Sequence, residues 1–127
     1  MNNTTRLVIC ERGGSAVELA IILSTFLAML FGIINIAMML WTMASLHYAA
    51  ETAARCAAVA AAGCTDTTSI QSYALSHYFG LSLGGTNPFV YAAAGCGNTV
   101  TATYNYSLVI PLVGTFPVPM SATACAV

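Results

Sequence analysis

The sequence predicts an α+β fold: a long N-terminal transmembrane α-helix that continues into a small disulfide-stapled domain with a short helix and a β-hairpin. Three observations predict it. Residues 19–46 contain no Asp, Glu, Lys or Arg, a run longer than the ~18 to 20 apolar residues that read as a membrane-crossing helix. The tail changes period, because residues 99–109, TVTATYNYSLV, have the Thr, Val and Tyr content of a strand. Cys56, Cys64, Cys96 and Cys125 all lie behind the apolar run, and an even set in a small exported domain indicates two disulfides.

Composition sets the class. The 127 residues leave room for one small domain beyond the anchor. Charged residues make up 6% of the chain, far below the ~25% of ordinary soluble domains. Disordered chains are polar and charged, so a sequence that is 58% hydrophobic is not one of them. A net charge of −1 provides no basic face for nucleic acid.

The elements follow in order. Residues 1–13, MNNTTRLVICERG, are polar and hold Arg6 and Arg12. The apolar segment behind them is about twice the ~7 to 15 residues of a secretory signal core, so it stays in the membrane. Arg55 is the sole basic residue after it, and the positive-inside rule then keeps the N-terminus in the cytoplasm. Ser15 and Glu18 form the S-x-x-E pattern of a helix N-cap. Glu18 has a second reading, an acid at the lip of an apolar helix that awaits a positive partner. Ala20, Ser24, Ala28 and Gly32 recur every fourth residue and make a groove for a close helix neighbour. Trp41, His47 and Tyr48 mark the far membrane interface.

The helix is expected to continue through the alanines of residues 49–62, with Glu51 and Arg55 paired at i, i+4 and Gly63 as the stop. On such a helix Cys56 and Cys64 would stand ~12 Å apart along the axis, too far to bridge. Each then reaches to Cys96 or Cys125, and Cys64 with Cys96 is the favoured pair. A second helix is expected at residues 68–79, then a loop, then strands at 99–109 and about 118–126.

Arg12 and Gly13, followed by GSAVEL opening the apolar helix, resemble the processing site of type IV prepilin-like proteins. More narrowly, the first 60 residues resemble the TadE-like pseudopilins of tight-adherence (Flp) pilus systems, with FGIINIA and AAETAARCAAV as further points of likeness. The resemblance implies a pilin-like fold and three regions: a cytoplasmic prepilin leader at 1–13, a transmembrane and assembly half of the long helix at 14–48, and a periplasmic or extracellular domain at 49–127. It implies cleavage by a prepilin peptidase after Gly13, which makes Gly14 the new N-terminus and removes Cys10. It gives Glu18 the role of attracting the free amine of a neighbouring subunit. The implied partners are that peptidase, other pilin and pseudopilin subunits, an inner-membrane secretion platform and membrane lipid. The implied location is the bacterial inner membrane, single-pass, or an extracellular pilus. Leu19 stands where the family more often has an aromatic residue, and Gly14 offers a competing cleavage point. The extra 60 or so residues beyond the helix favour a minor pilin or assembly factor.

Two other classes are an enzyme and an anchored binding protein. An enzyme needs a nucleophile beside a base, and no motif supplies one. His77 reads as a packing residue, and Gly84-Gly85 as turn chemistry rather than a phosphate loop. No cofactor is implied, and without a CxxC pair or spaced histidines a zinc site has no ligand set. The alternative is an uncleaved, signal-anchored exported binding protein unrelated to pili.

Overall fold

A computed structural model describes the backbone of residues 4–110 and 113–127, and the side chains from Gly14 onward except at residue 94. Gly13, Cys10 and the rest of the expected leader lie outside the residues whose side chains are described. The architecture is α+β, as expected: two helices, a three-stranded antiparallel sheet and two disulfides. The chain forms two compact units, Met1–Ile34 and Asn35–Val127.

The first helix, α1, spans Thr4–Ala58. It begins ahead of Ser15, so in the uncleaved chain Ser15 lies within the helix and is not its N-cap. It also stops short of the expected residue 62. Ala60 takes a φ of 48° and Gly63 a φ of 103°, and two left-handed residues in quick succession turn the chain back. An alanine in that region costs roughly 1–2 kcal/mol. The turn is held by Val59 N–H donating to the Arg55 carbonyl at 3.1 Å and Cys64 N–H donating to that of Ala61 at 2.9 Å.

The second helix, α2, spans Thr67–Ser76 with Asp66 as N-cap. The Asp66 N–H donates to Ser69 Oγ at 3.1 Å. The Ser69 hydroxyl, helped by nearby backbone N–H groups, holds the Asp66 carboxyl below its ordinary pKa. The expected helix continued to Phe79, but α2 ends at Ser76 because the following residues are pulled onto α1.

The sheet contains one strand that the sequence did not disclose. Strand β1 is Phe89–Ala94, β2 is Gly97–Ile110 and β3 is Gly114–Ala126. They lie in the order β1-β2-β3, with Tyr91 opposite Val100, Ala102 opposite Ala122, and Tyr106 opposite Val118. β1 is half alanine, which carries little strand preference. Its place is set instead by Phe89, which is fully buried and faces Tyr78 at 6.4 Å between rings.

Alternation places Phe89, Val100, Ala102, Tyr106, Met120 and Ala122 on the inner face. They meet the α1 face made by Leu46, Ala49, Ala50, Ala53 and Ala54, all buried. Ile70 and Ala74 of α2 complete the core. Four alanines at this spacing mean that the helix gives this core mostly methyl groups. Strand β3 is an edge, and Pro117 and Pro119 within it lack the N–H groups with which another strand would pair.

The turn between β1 and β2 depends on Gly97. Its φ is 113°, and a Cβ there would stand 2.6 Å from the Ala126 carbonyl oxygen. Gly97→Ala is therefore expected to destabilise the chain by ~2 kcal/mol or more. Gly95→Ala, where a Cβ meets nothing within 4 Å and φ is ordinary, is expected to cost less than ~0.5 kcal/mol. Urea unfolding of the two variants in the same detergent, followed by circular dichroism, makes the comparison.

Candidate assembly and membrane surface

The segment Gly14–Ala58 is long and apolar enough to cross a membrane. Within it, residues 14–31 are exposed all round, among them Val17, Leu19, Ile21, Phe26 and Leu30. Hydroxyls in this stretch bond to the helix itself. Ser24 Oγ donates to the Ile21 carbonyl at 2.9 Å, and Thr25 Oγ1 donates to the same oxygen at 3.0 Å. These donors are therefore already satisfied in a solvent that offers no hydrogen bonds.

Glu18 is exposed. Ala20, Ser24 and Ala28 are exposed and Gly32 is half-buried, and a Cβ at Gly14 or Gly32 would meet no atom within 4 Å. At roughly 100° per residue, Ala20 lies on about the opposite side of the helix from Glu18. The stripe then spirals round until Gly32 lies within roughly 40° of the acid's face. The carboxylate and the start of the stripe thus lie on different sides of the helix.

Further along α1, two of the expected belt residues, Trp41 and Tyr48, hold a residue from outside the helix. Phe79 is clasped by one face of the helix. Its ring meets Trp41 edge-on at 5.5 Å and Tyr48 at 5.6 Å. Its N–H donates to Ser45 Oγ at 2.8 Å, and Trp41 Nε1–H donates to its carbonyl at 3.4 Å. Ser45 and the neighbouring Thr42 are both fully buried, and Thr42 Oγ1 donates to the Met38 carbonyl at 2.9 Å. Beside the clasp, Tyr78 Oη donates to the Leu81 carbonyl at 2.7 Å. Burial, with a smaller contribution from Tyr104, raises the Tyr78 phenol above its ordinary pKa. The clasp escaped the sequence reading, although the spacing of Trp41, Ser45 and Tyr48 at i, i+4 and i+7 marks one helix face. Glu51 and Arg55 form the expected ion pair on the exposed side.

The disulfides correct the expected pairing. Cys56 bonds Cys64, with Cα atoms 5.9 Å apart, and Cys96 bonds Cys125 at 6.4 Å; Cys64 and Cys96 are not joined. The exclusion of Cys56–Cys64 assumed that both stood on one helix. Because α1 ends at Ala58 and the chain doubles back, eight residues of separation become a short bridge. Cys96–Cys125 ties the β1–β2 turn to the end of β3, beside Thr99, whose hydroxyl donates to Cys125 Sγ at 3.6 Å.

Residues 13–55 match the family model of TadE-like proteins. Over that segment the chain is similar to TadE-like proteins. The match takes in Gly13, Glu18, the small-residue stripe and the α1 half of the clasp, and it ends just before the first bridged cysteine. No curated protein and no solved structure matches the chain.

Two outcomes test this geometry. Proteolysis of the oxidised chain without reductant should give linked peptides holding Cys56 with Cys64 and Cys96 with Cys125; a peptide joining Cys64 to Cys96 would refute the fold-back after α1. Ser45→Ala removes the acceptor for the Phe79 N–H and is expected to cost about 1–2 kcal/mol in urea unfolding. Thr52→Ala, on the same helix and bonded only to its own backbone, should cost less.

Proposed function

We propose that this chain is a non-enzymatic, prepilin-like subunit of a tight-adherence (Flp) pilus apparatus. It would act as a minor pilin or initiation factor in adhesion and biofilm formation. The TadE-like match over residues 13–55, which covers the processing and assembly segment, carries the reading. The TadE-like family is associated with the Tad pilus.

In this reading a prepilin peptidase cuts after Gly13 and leaves Gly14 with a free amine. Residues 14–48 serve membrane insertion and assembly, and the disulfide-bearing domain lies on the periplasmic side. Glu18 is the sole formal charge between Gly13 and Ala50. In a bundle of such helices within lipid, an isolated carboxylate is costly, and the amine of a neighbouring subunit neutralises it. An ion pair in apolar surroundings is poorly screened, and removing one partner leaves the other uncompensated at a cost of ~3–5 kcal/mol. That cost fixes the axial register between subunits. The stripe from Ala20 to Gly32 provides the close approach. Other pilins, pseudopilins and the inner-membrane secretion platform are the partners.

Expression with and without a prepilin peptidase, followed by intact mass, decides the first step. Loss of residues 1–13 only in the presence of the peptidase is the expected result. An intact chain in both cells would instead mean an uncleaved tether. Glu18→Ala should leave cleavage nearly unchanged and lower incorporation into the pilus apparatus by about tenfold or more, given the energy of an uncompensated charge. Normal incorporation of that variant would remove the carboxylate from the mechanism.

A further inference from the structure

The two disulfides differ in their surroundings. Cys64 is 3% exposed and belongs to the core, and the half-buried Cys56 packs against that core. Cys96 and Cys125 are both exposed. Cys96 stands in the two-residue turn between β1 and β2, since Ala94 pairs with Gly97. Its neighbour is Gly95, where a Cβ would meet no atom within 4 Å, so the approach on that side is open. Residues 67–127 contain no Asp, Glu, Lys or Arg, and no carboxylate of the sheet repels an incoming anion.

One hydroxyl serves both of these sulfurs. Thr99 lies directly across from Cys125 on the adjacent strand. Its Oγ1 is 3.2 Å from Cys96 Sγ and 3.6 Å from Cys125 Sγ. A bridged sulfur has no hydrogen, so the hydroxyl is the donor in both contacts. It has a single hydrogen, and the shorter contact directs that hydrogen to Cys96. A neutral sulfur is a weak acceptor and gains little from it. A thiolate gains more, because a hydrogen bond to an ionised acceptor is roughly twice as strong as a neutral one. The donor thus stands beside atoms that become charged only when the bridge opens.

We propose that Cys96–Cys125 is a thiol–disulfide exchange site, open to an external thiolate in the folded domain, and that Thr99 stabilises the leaving sulfur. The thiolate attacks Cys125 Sγ and a new S–S bond forms there. The Cys96–Cys125 bond breaks, and its electron pair leaves with Cys96 as a thiolate to which Thr99 donates. A second external thiolate then attacks the mixed disulfide, carries off the first as an oxidised pair and releases Cys125 as a thiolate. Both protein thiolates take their protons from water. Two electrons pass in all, from two external thiolates to the bridge. Cys56–Cys64 is the structural counterpart, closed to the same reagent by the burial of Cys64. Opening Cys96–Cys125 frees the end of β3 from the β1–β2 turn, while Val100 and Ala122 stay buried in the core. The thiolate belongs to a small thiol or to a cysteine of another protein; the chemistry is shared.

The full chain carrying Cys10→Ser, oxidised and held in detergent, retains only the four bridged cysteines. It is treated with reduced glutathione, quenched with N-ethylmaleimide and mapped by mass spectrometry. Cys96–Cys125 should open about tenfold faster than Cys56–Cys64 or more, an order set by access. The first adduct should hold glutathione on Cys125 and maleimide on Cys96. Thr99→Val should slow the opening about threefold, the effect of one exposed hydrogen bond, and Thr99→Ser should restore it. Urea well below the unfolding transition should leave the rate unchanged. Bridges that open together, or a rate that climbs with such urea, would place the reaction in an unfolded chain and overturn the proposal. An unchanged rate in Thr99→Val, or glutathione trapped first on Cys96, would overturn the assignment of the leaving sulfur and its donor. A reduced CxxC dithiol protein, compared with glutathione at equal thiol concentration, separates the sources: the faster reagent identifies which kind of thiolate the site admits.

Discussion

The structure depends on the bareness of one side of α1. Ala49, Ala50, Ala53 and Ala54 are buried in one core with the inner face of a sheet of only three strands. Isolated strands of this kind are marginal in water. Here the helix provides the second layer, and the sheet's inner face, from Phe89 to Met120, has something rigid to pack on. The same helix carries large apolar side chains in the stretch before Asn35. One element thus serves two surroundings by a change of residue size rather than of polarity.

That explains what could be read in the sequence and what could not. The uncharged run, the alanine-rich continuation and the Thr- and Val-rich tail each have a local physical cause, and each became the expected element. The failures share a different cause. The ends of α1 and α2, the Cys56–Cys64 bridge and strand β1 are all fixed by contacts between segments distant in sequence. Ala60 is a strong helix former, yet it takes a left-handed conformation because the chain must return to α1. Phe79 continued an apolar helical period, yet it leaves the helix because Ser45 and two aromatic rings hold it. In both places tertiary packing outweighed a local preference worth less than ~1 kcal/mol per residue.

The functional residues divide along the same line. Glu18 was legible because a lone charge in an apolar run stands out in any context, and the small-residue stripe was legible because its spacing is that of the helix. Neither makes a structural demand within the single chain; both remain on its exposed surface. Ser45 was not legible because a serine in an alanine-rich helix carries no signal until its partner, 34 residues away, is known.

The distribution of charge joins these observations. No Asp, Glu, Lys or Arg follows Asp66, so the formal side-chain charges of the domain lie on α1 and at the start of α2, and the sheet carries none. Pro117 and Pro119 interrupt the β3 edge of the sheet, so pairing strand to strand is disfavoured on that side. On α1, Glu18 is exposed and the small-residue stripe begins on the opposite side and winds towards it. The Cys56–Cys64 bridge and the aromatic clasp tie α1 to the chain that follows it, while Cys96–Cys125 closes the sheet on itself, so the helix and the sheet are each held by a contact that local sequence does not announce.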